Sequence, residues 1–154
     1  MVSVGFFLLE CASILTLISA AGIKTDPCGV SGNWTNQFGS TMAITCQQGS
    51  PTTSQGSING KYMYTPNNLL DLSGRYTMIN RDCILGFSIV MDSTTGNSNT
   101  TSWTGIHYAT ENTIHTHWIL AKHTEYNDMW KNTHIGTAVF TRTDKLENGG
   151  GVIG

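Results

Sequence analysis

The chain has 154 residues, a formal net charge of −2 and only 12% charged residues. That length suits one domain with one core, and no cluster of Lys or Arg marks a basic patch, so we expect no nucleic-acid partner. Abundant Thr, Ser, Asn and Gly favour many short strands joined by tight turns over long helices.

The chain begins with an apolar segment that we expect to be cleaved. Residues 4–20 are almost continuously apolar, and residues 19–22 supply the small side chains of a secretory cleavage site. A single membrane anchor is the alternative, since about 20 apolar residues can span a bilayer. We favour a signal peptide at residues 1–22, which makes the protein secreted and extracellular, with no membrane attachment after cleavage.

Eight short strands follow in sequence order with short links between them. We predict them at residues 32–37, 40–47, 57–64, 75–79, 84–92, 99–108, 113–122 and 134–142, with a helical turn at 126–131. Antiparallel pairing of sequential strands is the simplest arrangement, and closure removes the unpaired edges that promote aggregation. The prediction is an all-β fold: an eight-stranded antiparallel up-and-down β-barrel at residues 23–145, followed by a flexible C-terminal tail at 146–154.

The first predicted strand carries a sign of a binding site. Gly32, Trp34 and Asn36 share one face because side chains alternate along a strand, and Ser40 begins the next strand in the same phase. A surface strand would separate its apolar and polar groups between two faces. A face with an aromatic ring, an amide and a hydroxyl predicts a barrel interior, with a core below and a polar ligand cup above.

Several motifs occur together in a characteristic order and spacing. They are Gly32-Asn33-Trp34-Thr35-Asn36-Gln37-Phe38-Gly39-Ser40, Gly60-Lys61-Tyr62, Ser102-Trp103-Thr104-Gly105, His117-Trp118-Ile119-Leu120, and Trp130-Lys131 followed by Gly136 and Phe140-Thr141-Arg142. Over nearly the whole mature chain they resemble the avidin/streptavidin family. The resemblance implies biotin as the ligand, which is not a cofactor here, and a homo-oligomer, expected to be a homotetramer.

The resemblance also implies roles for individual residues. In the family an Asn, a Ser and a Tyr bond the ureido carbonyl oxygen of biotin, and these match Asn36, Ser40 and Tyr62. Trp130 matches the tryptophan that each subunit lends to its neighbour's pocket. The complete set of ligand-binding candidates is Asn36, Ser40, Tyr62, Tyr64, Met91, Asn99, Thr101, Trp103, Trp118, Leu120, Trp130 and Ala138.

Three of these positions depart from the family pattern. The strand-five tryptophan is replaced by Met91, whose flexible thioether specifies shape less well than an aromatic ring. The two positions that accept the ureido N–H groups are occupied by Tyr64 and Ala138. A buried donor left without a partner costs about 1–3 kcal/mol, so two such losses weaken binding by orders of magnitude. We therefore predict biotin binding with reduced affinity.

Other interpretations stay open. The Tyr64 hydroxyl can replace a lost acceptor if it swings in, or the pocket can serve a different small ligand that offers a carbonyl or carboxylate but no paired N–H groups. A structural module that oligomerises without binding biotin is a further alternative. A lipocalin fits less well, because the chain places Asn and Ser where an apolar calyx is expected. No nucleophile, base and orienting acid occur together, so we predict that the protein is not an enzyme.

The predicted mature chain keeps three of four cysteines, because Cys11 leaves with the signal peptide. The family's disulfide joins strand one to the end of strand six. Cys28 matches the first partner, but His107 occupies the second position. Cys28, Cys46 and Cys83 all carry the inward phase at the end away from the ligand, so a bridge would join Cys28 to Cys46 or Cys83. No CxxC spacing occurs, and we predict no metal site.

Two Asn-X-Thr sequons begin at Asn33 and Asn99. Such sequons are N-glycosylation acceptors only in a secreted protein, so both are candidates that depend on the signal peptide. In the predicted first strand Asn33 faces away from Trp34, and that orientation leaves room for a glycan.

Overall fold

The structure, a computed structural model, describes residues 26–92 and 98–143. The predicted signal peptide at 1–22 and the tail at 146–154 lie outside the described residues and stay predictions, as do the exact limits of the 23–145 domain. Within the two described ranges no helix is long and apolar enough to cross a membrane.

Eight antiparallel strands close into a barrel in which each strand pairs with the next and the last pairs with the first. This arrangement confirms the predicted up-and-down β-barrel. The strands are β1 (Gly32–Asn36), β2 (Thr41–Gln48), β3 (Gln55–Met63), β4 (Leu69–Ile79), β5 (Asp82–Met91), β6 (Asn99–Tyr108), β7 (Thr113–Lys122) and β8 (Thr133–Arg142). A 3-10 helix at Tyr126–Lys131 joins β7 to β8, where the helical turn was predicted.

Two strands are longer than their sequence pattern predicts. β3 begins at Gln55 and β4 at Leu69, whereas the pattern predicts starts at residues 57 and 75. The pairing covers all of β3 and most of β4, from Gln55 opposite Thr77 to Met63 opposite Leu69. Hydrogen bonds to a neighbouring strand thus extend both strands beyond the residues whose local propensity favours them.

One end of the barrel interior, hereafter the closed end, is filled with apolar side chains. Here β2 finishes and β5 begins, and Cys28 and Val30 in the segment before β1 are fully buried. The large side chains with the least exposure in the described residues are Trp34, Phe140, Ile58, Ile114, Val30, Cys28 and Cys83. The opposite end, where β1 finishes and β2 begins, is hereafter the open end.

A disulfide crosses the closed end between Cys28 and Cys46, whose Cα atoms are 6.0 Å apart. This is one of the two pairings that the sequence leaves open. Cys83 is a free, buried thiol, and burial raises its pKa to about 12. Because the thiolate is the reactive form of cysteine, Cys83 is an inert core residue at neutral pH.

Arg142 ties the end of β8 to the segment before β1. Its two terminal nitrogens donate to the carbonyl oxygens of Ser31 at 2.6 Å and Gly29 at 2.8 Å. The guanidinium also lies over the Trp34 ring, 4.4 Å from its centroid. One side chain therefore holds the segment that covers the core and stacks on the largest buried ring.

His107, which the resemblance matches to a disulfide cysteine, lies opposite Cys83 in the β5–β6 ladder. The imidazole packs edge-on against Trp34, with ring centroids 5.6 Å apart, and its Nε2 lies 3.4 Å from Asn112 Oδ1. Burial lowers the pKa of His107 below its usual value. The side chain thus contributes aromatic packing as a neutral ring, and Cys28 pairs with Cys46.

Candidate functional site

The turn between β1 and β2 positions the first two polar candidates. The Asn36 N–H donates to the Ser40 carbonyl at 3.0 Å, and the Gly39 N–H donates to the Asn36 carbonyl at 3.0 Å. Gly39 has a φ of +83°, a left-handed conformation that glycine adopts without the steric cost of a Cβ. The tight turn brings Asn36 and Ser40 together at the open end, where both are buried.

Hydrogen bonds from the same turn orient the Asn36 side chain. Its Oδ1 accepts from the backbone N–H groups of Phe38 and Ser40, each at 3.0 Å. Backbone N–H groups only donate, so these contacts identify the amide oxygen and leave the NH2 group to donate elsewhere. The turn therefore prepares Asn36 to act as a hydrogen-bond donor within the cup.

Tyr62 joins this pair from β3. It lies opposite Met42 in the β2–β3 ladder and is 3% exposed. Burial raises the pKa of its phenol, and hydrogen bonding with the side chains of Ser40 and Asn36 offsets part of that rise. The phenol stays neutral at physiological pH and keeps its proton for donation. Three groups that can donate to one oxygen thus converge at the open end.

A stack of aromatic rings separates this polar cluster from the closed end. The Trp103 ring lies 5.0 Å from that of Tyr62 at an interplanar angle of 37°, and 5.2 Å from that of Phe87 at 18°. Phe87 in turn packs edge-on against Phe140, with centroids 6.3 Å apart. Trp103 therefore forms the boundary at which the apolar core ends and the cup begins.

Trp118 lies beside Trp103 because the two residues are direct partners in the β6–β7 ladder. Its ring also lies over Gly136, its partner in β8: a Cβ on that glycine would meet Cζ2 of Trp118 at 2.4 Å. Glycine is thus needed for the ring to lie flat against β8. Trp118 is only partly buried, so its ring is available to pack against a ligand.

Three more candidates line the same end of the barrel. Thr101 is buried and lies opposite Leu120 in the β6–β7 ladder. Asn99, at the start of β6, is half-buried and lies opposite Met91 of β5. The structure therefore places the candidates of β1, the β1–β2 turn, β3, β6 and β7 around one opening.

The β8 side of the cup offers no side-chain acceptor at position 138. Ala138 is 1% exposed, and its carbonyl oxygen already accepts a hydrogen bond from Thr116 Oγ1 at 2.9 Å. A methyl group therefore stands where an amide or carboxylate would accept an N–H hydrogen. This part of the cup is apolar.

Met91 and Tyr64 are the other two cup positions that depart from the family pattern. Met91 is half-buried at the end of β5, and its sulfur lies 3.4 Å from Asn68 Nδ2. Tyr64 follows the end of β3 and is 63% exposed. In the structure the Tyr64 ring therefore stays at the rim of the cup.

Trp130 does not reach the cup of its own chain. It lies on the 3-10 helix and is 76% exposed, with Lys131 Nζ 4.8 Å from its ring centroid. An exposed tryptophan on a short helix has little packing of its own to stabilise it. Its position leaves the ring available to a second molecule.

Two shallow cavities lie on the outer surface of the barrel. The larger, about 500 Å³, crosses β6, β7 and β8, and its lining includes His117, Ile119 and Ile135 but no Asp, Glu, Lys or Arg. The smaller, about 380 Å³, crosses β1, β2 and β3 and includes Lys61. The uncharged lining of the larger cavity has the composition of a surface that becomes buried against a partner.

Sequence reasoning missed several residues that shape the cup. Phe87 supports Trp103, and Asn68 contacts Met91, although neither was a candidate. Gly136 was recognised only as part of a motif, yet it makes room for Trp118. The sequence could have indicated that contact, because it has a glycine at an inward-facing position of β8. The local sequence did not predict the contact of Asn68 with Met91, because Asn68 lies in the turn between β3 and β4.

The structure separates the two candidate sequons. Asn33 is exposed on the outer face of β1, whereas Asn99 has the inward phase of Thr101 and Trp103 on β6. Their orientations differ in a way that the sequence left undecided for Asn99.

Comparison with known proteins agrees with this geometry. The model of the Avidin family matches residues 24–143. Avidin from Gallus gallus is 29% identical over 143 residues, which cover 84% of this chain and 90% of that protein. The family match spans every strand of the barrel and all twelve ligand-binding candidates. The chain therefore belongs to the Avidin family.

Proposed function

We propose that this protein binds biotin at the open end of its barrel, without catalysing a reaction. The observation that carries the proposal is the convergence of Asn36, Ser40 and Tyr62. The Asn36 amide is oriented as a donor by two backbone N–H groups, and the Tyr62 phenol stays protonated. Three donors around one point suit a carbonyl oxygen such as that of a ureido group.

The aromatic residues suit the rest of such a ligand. Trp103 and Trp118 lie side by side just below the donors, one of them closely packed and the other only partly buried. A flat bicyclic ligand can pack its apolar faces on these rings while its oxygen reaches the donors. Thr101 and Leu120 then enclose the part of the ligand that lies nearer the opening.

The altered positions Ala138 and Tyr64 support the reduced affinity that the sequence predicted. Ala138 has no side-chain acceptor, and the exposed Tyr64 must move before its hydroxyl can reach the cup. Each N–H group left without a partner on binding costs about 1–3 kcal/mol. We therefore propose weaker binding than that of avidin measured under the same conditions.

Calorimetric titration with biotin tests this proposal, with chicken avidin as the reference. We expect one saturable site per chain and a Kd well above that of the reference. Binding as tight as the reference would contradict the reduced affinity. An absence of heat at millimolar biotin would contradict biotin binding altogether.

The missing acceptors favour one second candidate, a ligand with an oxygen for the three donors and no paired N–H groups. Hexanoate presents a carboxylate and no N–H, so it serves as the probe. Saturable heat with hexanoate but none with biotin would support this alternative. Heat with biotin alone would exclude it.

We further propose that the protein is secreted and forms a homo-oligomer, with four chains as the expected number. The exposed Trp130 and the uncharged cavity on β6–β8 both support assembly, because each leaves apolar area in water in a single chain. In the assembly Trp130 would cover the cup of a neighbour. Light scattering after size exclusion should give the mass of four chains, and a monomer at micromolar concentration would contradict the proposal.

A Trp130→Ala variant tests the shared cup. We expect biotin affinity to fall by about 2 kcal/mol or more, as for a buried aromatic anchor. Tyr126→Ala on the same 3-10 helix is the matched control, because Tyr126 is equally exposed but is not a candidate. Equal affinities for the two variants would show that Trp130 does not contact the ligand of any subunit.

A further inference from the structure

The smaller outer cavity, hereafter the β1–β4 groove, has an unusual mixture of walls. Two rows of ladder partners form it: Asn33, Ala43 and Lys61 in one, and Thr41, Met63 and Leu69 in the other. Leu69 is 60% exposed and Met63 is 37% exposed. Apolar side chains thus lie beside hydroxyl, amide and ammonium groups in a cavity of about 380 Å³.

The wall of this groove contains the first residue of a sequon, Asn33-Trp34-Thr35. The strand fixes its orientation: Trp34 points into the core with 0% exposure, so Asn33 faces outward and is exposed. The other sequon residue, Asn99, has the inward phase of β6 and is followed by Thr101, which is buried. A glycan on Asn99 would have to leave through the mouth of the cup, whereas Asn33 opens directly onto the groove.

We propose that Asn33 carries an N-linked glycan whose first N-acetylglucosamine lies in the β1–β4 groove. The inference rests on the proposed secretion, since the modification occurs in the secretory pathway. In the reaction Asn33 Nδ2 forms a bond to the anomeric carbon of an oligosaccharide carried on a lipid pyrophosphate. The nitrogen loses one proton and the lipid pyrophosphate leaves.

The chemistry of the groove suits a sugar. A pyranose ring has C–H groups on its faces and hydroxyl groups at its edges, so it pairs apolar surface with hydrogen-bonding groups. Ala43, Met63 and Leu69 supply apolar surface, and Thr41 and Lys61 supply hydrogen-bonding groups. The Lys61 ammonium also forms an exposed ion pair with Asp71 on β4, at 2.5 Å.

Covalent attachment to Asn33 favours a glycan over a free sugar as the occupant of the β1–β4 groove. A sugar bound to Asn33 is held next to the groove by a short covalent link, so it occupies the groove at a high effective concentration. A free sugar would have to bind a shallow surface without that advantage. The groove also lies on different strands from the uncharged β6–β8 cavity, so a glycan here leaves the proposed assembly surface uncovered.

The attachment is tested on the full chain secreted from a eukaryotic host. Intact mass is measured before and after treatment with peptide-N-glycosidase. We expect a mass loss for the wild type and for Thr35→Ser, which keeps the sequon, but none for Asn33→Gln or Thr35→Ala. Asn99→Gln should lose the same mass as the wild type. A wild type without a glycan, or one whose glycan disappears only in Asn99→Gln, overturns the inference.

Oxidation of Met63 tests whether the sugar lies in the groove. Dilute peroxide is applied to the glycosylated protein and to Asn33→Gln, and peptide mapping follows methionine sulfoxide at Met63 and at Met129. The second residue, on the 3-10 helix, is 55% exposed and serves as the internal control. We expect Met63 to oxidise severalfold more slowly in the glycosylated protein and Met129 to be unaffected. Equal Met63 rates in the two proteins overturn the placement.

The results that would contradict the glycan differ from those that would contradict the proposed function. Failure of the full chain to reach the medium contradicts secretion, whereas a secreted chain without a glycan contradicts the inference alone. Biotin titration of Asn33→Gln reports on the cup independently of both. A cleaved N-terminus in the secreted protein, read by mass spectrometry, confirms that the chain entered the pathway.

Discussion

The two ends of the barrel differ in what their interior residues do. At the closed end a disulfide, the hydrogen bonds of the partly buried Arg142 and a layer of apolar side chains hold the strands together. At the open end the interior also contains the buried polar residues Asn36, Ser40 and Thr101 and the partly buried ring of Trp118. Most residues that stabilise the closed end are therefore separated along the barrel axis from the proposed binding residues at the open end.

Two altered positions at the open end differ from the three proposed donors. Asn36 of β1, Ser40 of the turn that follows and Tyr62 of β3 are buried, and hydrogen bonds within the turn orient the Asn36 amide. Ala138 of β8 has no side-chain acceptor, and Tyr64, just after β3, is 63% exposed. The Asn36 side chain also accepts hydrogen bonds within the β1–β2 turn, so its loss would disturb the hairpin as well. Ala138 takes no part in a turn and packs within the buried core.

The largest expected effect comes from the disulfide at the closed end. Replacing Cys28 and Cys46 together with Ser should lower the free energy of unfolding by about 2–4 kcal/mol, because the bridge restricts the unfolded chain. Biotin affinity should not change, since the bridge lies at the end away from the cup. Denaturant unfolding and calorimetric titration measure the two quantities. A loss of affinity in a variant that remains folded would contradict the separation of the two ends.

A single hydroxyl should have the next largest effect. Tyr62→Phe removes one of three donors and should weaken biotin binding by about 1–3 kcal/mol, or roughly 5- to 150-fold. Tyr76→Phe is the matched control, because its buried hydroxyl has no hydrogen-bond partner within the described residues and faces the closed end. The control should keep full affinity and equal or greater stability. If the two variants bind biotin with equal affinity, the Tyr62 hydroxyl does not contact the ligand.

Restoring an acceptor on β8 should strengthen binding by a smaller amount. Ala138→Asn places an amide oxygen inside the cup, and one added hydrogen bond is worth about 1 kcal/mol, or roughly fivefold in Kd. Ala138→Leu has the same number and branching of side-chain heavy atoms as Ala138→Asn but no acceptor, and it should not bind more tightly than the wild type. Titration of the three proteins with biotin measures the difference. If Ala138→Leu strengthens biotin binding as much as Ala138→Asn does, the gain comes from packing and not from an added acceptor.

The smallest expected effect is a change in the pH dependence of stability, which His107 at the closed end causes. Burial lowers the pKa of His107 in the folded protein, so below a pH of about 6.5 the unfolded chain binds a proton that the folded chain does not. The contribution of His107 to stability is complete above that pH and falls as pH decreases through the folded pKa. Melting temperatures over this range should show a shallower slope for His107→Gln than for the wild type. Equal slopes for the two proteins would contradict this role of His107.

Much of the fold was predictable because alternation along strands is a local property. The phase of Trp34, Asn36 and Ser40 follows from their spacing, and the structure places all three inside the barrel. The early starts of β3 and β4 were not predictable, since they depend on pairing between the two strands. The pairing of Cys28 with Cys46 likewise depends on where the segment before β1 crosses the barrel.

The sequence by itself determined the barrel, the inward phase of its strands and the polar half of the cup. Alternating side chains and short turns carry that information within a few residues of each other. Only the tertiary structure decided the orientation of the Asn36 amide, the exposure of Tyr64 and the space that Gly136 leaves for Trp118. Each of these depends on atoms brought together by closure of the barrel or by the geometry of a turn, and no spacing along the chain records such contacts.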